Sequence, residues 1–89
     1  MIGRRTVFDS VRRELNRAEK LHPVWPNDPI HVVAIVTEEC GEAMREAIDV
    51  RYFRHGDRDR LEKELVQTAA MAIRALVNID KIPHKFQSD

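Results

Sequence analysis

Eighty-nine residues make one domain, with too little chain for two independent cores. Fifteen basic residues balance fifteen acidic ones, so no net positive field draws the chain to a nucleic-acid polymer or an anionic bilayer. A composition 43% hydrophobic and 34% charged, with three glycines and four prolines, excludes long structureless tracts and describes a globular protein.

The longest apolar run, Val32 to Val36 with Ile30 just before it, falls far short of the roughly 20 residues a membrane span needs. The opening "MIGRRTVFDS" has no apolar core of signal-peptide length. Together with a single cysteine, Cys40, which has no partner for an internal disulfide, this predicts a cytoplasmic protein in a reducing compartment. A chain this short buries only about 60–65% of its unfolded surface, so the sequence also predicts self-association, as a homodimer or homotetramer.

In chain order, Val7, Phe8, Val11, Leu15, Ala18 and Leu21 recur at steps of three and four and predict a first helix over about 5–21. "HPVWPNDP" packs three prolines into eight residues and reads as a loop. Asp28 then offers a side-chain cap and Pro29 a first helical residue that has no amide to waste, which predicts a second helix from there to about Tyr52 or Phe53. "RHGDRD" breaks it at Gly56. Asp59 followed by Glu62 matches a capping box and predicts a third helix over about 60–78. Pro83 ends what remains, and residues 80–89 read as a frayed tail. With no strand-like alternation, the predicted fold class is all-α: a small bundle of about three helices, completed by oligomerisation.

The second helix carries "TEECGEAMREAIDV". At about 100° per residue, Glu38, Glu39, Glu42 and Glu46 fall within one window of roughly 100°, and only Arg45 is placed to relieve their repulsion. Val33, Val36, Cys40, Ala43, Met44 and Ala47 fill the adjoining sector, which predicts a buried, inert thiol at Cys40. Such an acidic stripe is either a solvated face or a place for a hard cation such as Mg²⁺, which takes oxygen ligands and keeps several waters. Val32 and Ile35 lie beneath the stripe and favour the second reading.

On the third helix, Leu61, Leu65, Val66, Ala69, Ile73, Leu76 and Val77 form the main apolar face, with Glu64, Gln67 and Met71 roughly opposite. That second face, with Ala75 beside it, is apolar enough to place the helix between two layers and to bring Glu64 to the acidic stripe.

"EECGE" at 38–42, followed after twenty-one residues by "ELVQ" at 64–67, resembles the E-E-x-x-E … E-x-x-D signature of the MazG-like all-α nucleoside triphosphate pyrophosphohydrolases. The resemblance spans about residues 28–79. It implies a hydrolase that uses Mg²⁺, or Mn²⁺, to release pyrophosphate and a nucleoside monophosphate from a nucleoside triphosphate. It further implies that Glu39, Glu42 and Glu64 ligate metal, and that Glu38 ligates it or orients the attacking water. Gln67 stands where the family has Asp and offers a carbonyl oxygen in place of a carboxylate.

Lys63, Arg74 and Arg45 are the cations nearest by helix position, either for phosphate oxygens or as surface charges. Trp25, alone in the proline-rich loop, either stacks on a base or covers the core. Glu19 and His22 form a lone ExxH pair without the second that a di-iron bundle requires. The alternative function is a non-catalytic helical module that binds nucleotide or protein, with activity lost through Gln67.

Overall fold

The computed structural model describes residues 1–86. It has three α-helices, α1 (Arg4–Leu21), α2 (Pro29–Tyr52) and α3 (Arg58–Val77), followed by one 3₁₀ turn, Ile79–Lys81, and no strand among the described residues. None of the helices is long and apolar enough to cross a membrane.

The helix ends follow from the local sequence. The Asp28 carboxylate accepts from the amides of Ile30 and His31 at 2.8 and 3.2 Å, with Pro29 at the first helical position, as the sequence predicts. α3 starts earlier than its apparent capping box. Asp57, not Asp59, is the cap, accepting from the Asp59 amide at 2.8 Å, and Asp59 lies inside the first turn. Asp59 there complements the positive end of the helix dipole, which explains why both positions read as start signals.

Between α2 and α3 the chain folds back through residues 53–57. The Gly56 amide donates to the Phe53 carbonyl at 3.1 Å, and its α-carbon lies against the end of α2. A Cβ built there would press on the Asp49 carbonyl and the Val50 α-carbon, backbone atoms that cannot swing aside. Gly56→Ala is therefore expected to cost about 1–3 kcal/mol, or more if the hairpin must open, measured as a lower urea midpoint with unchanged slope.

α1 and α2 each pack on α3, which is the central helix. Val11 and Ala18 from α1, Trp25 from the loop, Val32 from α2, and Ala70 and Met71 from α3 form the core. Ala70 is fully buried, because the three elements converge where only a methyl group fits.

Arg74 is buried too, with 4% of its surface exposed. Its Nη1 donates to the Ala18 carbonyl at 3.5 Å and its Nη2 to the His22 carbonyl. The guanidinium also lies over the Trp25 ring, 4.7 Å from its centroid. It thus closes the C-terminal end of α1, adding a donor to the Ala18 carbonyl, which already accepts from the His22 amide at 2.9 Å, and supplying one to the His22 carbonyl beyond the last turn.

Three expectations need correction. Cys40 is exposed, not buried. The side of α2 turned to α3 carries Val32, Ala43 and Glu39, Glu42 and Glu46 of the acidic stripe, while Val33 and Met44 face away, at 60% and 62% exposure. On α3 the buried residues are Ala70, Met71 and Arg74, whereas Leu65, Leu76 and Val77 of the face expected to be the main one are more than half exposed. The tail does not fray from residue 80: the 3₁₀ turn contacts α3, and Ile82 packs against the core. Residues 87–89 of the expected tail lie outside the described residues.

Candidate metal centre

Because α3 folds back along α2, Glu64 at the start of one helix meets Glu39 and Glu42 in the middle of the other. One carboxylate oxygen from each lies within 4.8 Å of the others. All three side chains are half-buried. The spacing of the pair on α2 is the helical i, i+3 neighbour relation. The third member comes from a position twenty-two residues further on, and only the hairpin brings it in.

The carboxyls are crowded, with only Lys63 acting against the crowding at Glu64. The Oε2 atoms of Glu39 and Glu64 are each buried with no hydrogen-bond partner, as is Oε2 of Glu46. Burial, and then the charges of Glu42, Glu64, Glu38 and Glu14, push the Glu39 carboxyl above its ordinary value. Glu64 is raised as well, first by burial, then by the Glu42 carboxyl within hydrogen-bonding reach and by the charge of Glu46, with Lys63 opposing.

Two members of this environment were not assigned to the site from sequence. Glu46 is visible in the stripe one turn beyond Glu42, and its position relative to Glu64 follows only once the hairpin forms. Glu14 comes from α1 and is held by Arg17, whose Nε and Nη2 reach its two oxygens at 3.0 and 2.6 Å. No spacing in the sequence points to it.

The other candidate residues are dispersed. Glu38 is exposed on the outer flank of α2 and is not one of the three converging carboxylates. Gln67 is half-buried one turn after Glu64 on the same helix, and Lys63 is exposed beside it. Trp25 covers the core, which is one of the two roles the sequence leaves open. Arg74, a candidate for phosphate or surface charge, is neither exposed nor near the carboxylates: it is ten residues beyond Glu64, about 15 Å along the helix, and is engaged with α1. Arg45 is exposed on the flank of α2.

This site should work against folding when the chain is metal-free. Glu39 and Glu64 have folded-state pKa values above their unfolded ones, so the folded chain holds more protons than the unfolded chain in the interval above the ordinary glutamate value. Stability then falls as pH rises through that interval, the reverse of a salt-bridged carboxylate. In chelator-containing buffer, Glu64→Gln is expected to melt higher than wild type at neutral pH. The gap should close as pH is lowered toward the ordinary glutamate range, which thermal melts of both proteins across pH would read.

Comparison with protein families, with curated proteins and with solved structures found no match to the chain.

Proposed function

We propose that the chain is a divalent-cation-dependent nucleoside triphosphate pyrophosphohydrolase, with Mg²⁺, or Mn²⁺ in its place, held by Glu39, Glu42 and Glu64. The observation that carries this reading is the convergence of those three carboxylates from two helices, with partnerless buried oxygens on Glu39 and Glu64. Uncompensated carboxylate oxygens suit a hard cation. The resemblance of "EECGE … ELVQ" to the MazG-like signature supports the substrate class.

The residues present fit the ion in charge and in donor type. When bound, it would neutralise charge on the phosphate oxygens and acidify a water for attack between the α and β phosphates. Glu39, Glu42 and Glu64 would hold it, and Glu39 and Glu64 would give up the protons that burial and crowding favour, so cation affinity should rise with pH. Glu46 supplies a further acceptor beside Glu64 and holds the local charge negative. Gln67 contributes at most a neutral oxygen, which lowers the charge of the site by one relative to an Asp.

The test is a panel of nucleoside triphosphates incubated with Mg²⁺ or Mn²⁺ and assayed for pyrophosphate and nucleoside monophosphate together. The reading expects both products in equal amounts from at least one substrate, and it expects Gln67→Asp to lower the Mg²⁺ concentration needed for half-maximal rate. Phosphate release in place of pyrophosphate, or no turnover of any substrate by either protein, would overturn the assignment.

A further inference from the structure

The even balance of charge over the whole chain does not hold at one end of the bundle. α1 and α3 run in the same direction: Ile2 and Thr6 share a hollow with Glu62 and Val66 near their starts, and Arg74 reaches the carbonyls of Ala18 and His22 near their ends. α2 runs the other way and is joined to α3 by residues 53–57. The start of α1, the end of α2 and the start of α3 therefore meet. They bring together Arg4 and Arg5, Arg51 and Arg54, and Arg58 and Arg60, all exposed. Among the described residues only Arg60 of these is ion-paired, to Asp57 at 3.9 Å. Of the acidic residues at this end, Asp57 caps α3 and Asp49 lies 3.4 Å from His55, which leaves Asp59 and Glu62 exposed. Arg4 and Arg5 also sit at the positive pole of α1, whose first turn has no acidic residue, a placement that an anion relieves.

Aromatic rings are set among these cations. Tyr52 is 70% and Phe53 55% exposed, and neither belongs to the core. The Arg51 guanidinium lies over the Tyr52 ring, 4.8 Å from its centroid, and the Phe53 and His55 rings stack with centroids 5.5 Å apart. We propose that this end of the bundle binds single-stranded nucleic acid, RNA or DNA, with the arginines on its phosphates and its bases stacked on Tyr52 and Phe53. An arginine fork takes two oxygens of one phosphate, and every base has a flat face to stack, so the binding does not depend on sequence. Flat rings set between cations match a strand in which anionic phosphates alternate with flat bases. A bilayer or an acidic peptide supplies the anions without the bases.

This inference is independent of the carboxylate site, so binding is measured in chelator, by fluorescence anisotropy of a labelled oligoadenylate, as RNA and as DNA, over a range of salt concentrations. Saturable binding of at least one is expected, with log affinity falling linearly with log salt. Arg54→Gln and Arg58→Gln should each weaken binding and make the slope shallower by about 0.7, one phosphate contact. Tyr52→Leu should weaken binding about tenfold and leave the slope unchanged, the mark of a lost stack. All three side chains are exposed, so helical circular dichroism should be retained in each variant. No saturable binding at low salt, a slope that neither arginine variant changes, or full affinity in Tyr52→Leu would overturn the proposal. So would equal affinity for a duplex of the same length, or release of the strand by phosphatidylserine vesicles at equal phosphate concentration.

Discussion

Replacing Glu42 by alanine is expected to lower pyrophosphate release by on the order of 10³-fold, equivalent to about 4 kcal/mol of transition-state stabilisation. Glu42 follows Glu39 by one turn on α2, its carboxylate lies within 4.8 Å of both Glu39 and Glu64, and its charge acts on both. Without it only two carboxylates, one from each helix, remain to hold the cation. The loss should appear in the rate at saturating nucleotide and also as a weaker dependence on cation concentration. The metal-free fold should not suffer, because the variant removes one of the mutually repelling charges that raise Glu39 and Glu64. A variant that is inactive yet melts at or above the wild-type temperature in chelator would separate loss of the site from loss of the fold.

The largest effect on stability is expected at Arg74. Arg74→Ala removes charged hydrogen bonds to the Ala18 and His22 carbonyls, each worth about 1.5–3 kcal/mol. It also removes the stacking over Trp25, worth about 0.5–2 kcal/mol, and leaves a hole among Ala18, Trp25 and Ala70. These contributions are not additive. A net loss of about 3–5 kcal/mol is still a large part of what a domain of this size has to lose. Urea titration should place the midpoint near zero denaturant. Arg74→Lys should recover part of the stability, since it keeps one charge and one donor but neither the planar fork nor the stack. Wild-type cation binding in Arg74→Lys would agree with the roughly 15 Å that separate this residue from the carboxylates.

Arg74 also illustrates where sequence reading reached its limit. On the wheel it falls beside Gln67 and Asn78, at the edge of the half-buried face of α3, and a cation there is ordinarily exposed or waiting for a ligand. Nothing local reveals that the end of α1, more than fifty residues earlier, supplies its acceptors. Cys40 fails for a related reason. Periodicity identifies an apolar sector of α2 but not how much of it a neighbouring helix covers, and α3 covers the side beneath the glutamates instead. The helix ends were legible because they rest on residues within three positions of one another, Asp28 with Pro29 above all. The capping of α3 was one step off because Asp57 and Asp59 give the same signal two residues apart. Of the carboxylate cluster, spacing placed four glutamates on one stripe of α2 and brought Glu64 to it from the second face of α3, whereas singling out Glu39 and Glu42 rested on the resemblance of "EECGE". Glu46 and Glu14 acquire their roles only from tertiary packing.

The central claim is that Glu39, Glu42 and Glu64 together hold a divalent cation, and titration of Mn²⁺ followed by electron paramagnetic resonance tests it most directly. Wild type should show saturable binding that tightens as pH rises and that Mg²⁺ displaces, and Glu64→Gln should lose it while keeping its helical circular dichroism. Binding that never saturates, or that survives Glu64→Gln unchanged, would contradict the account.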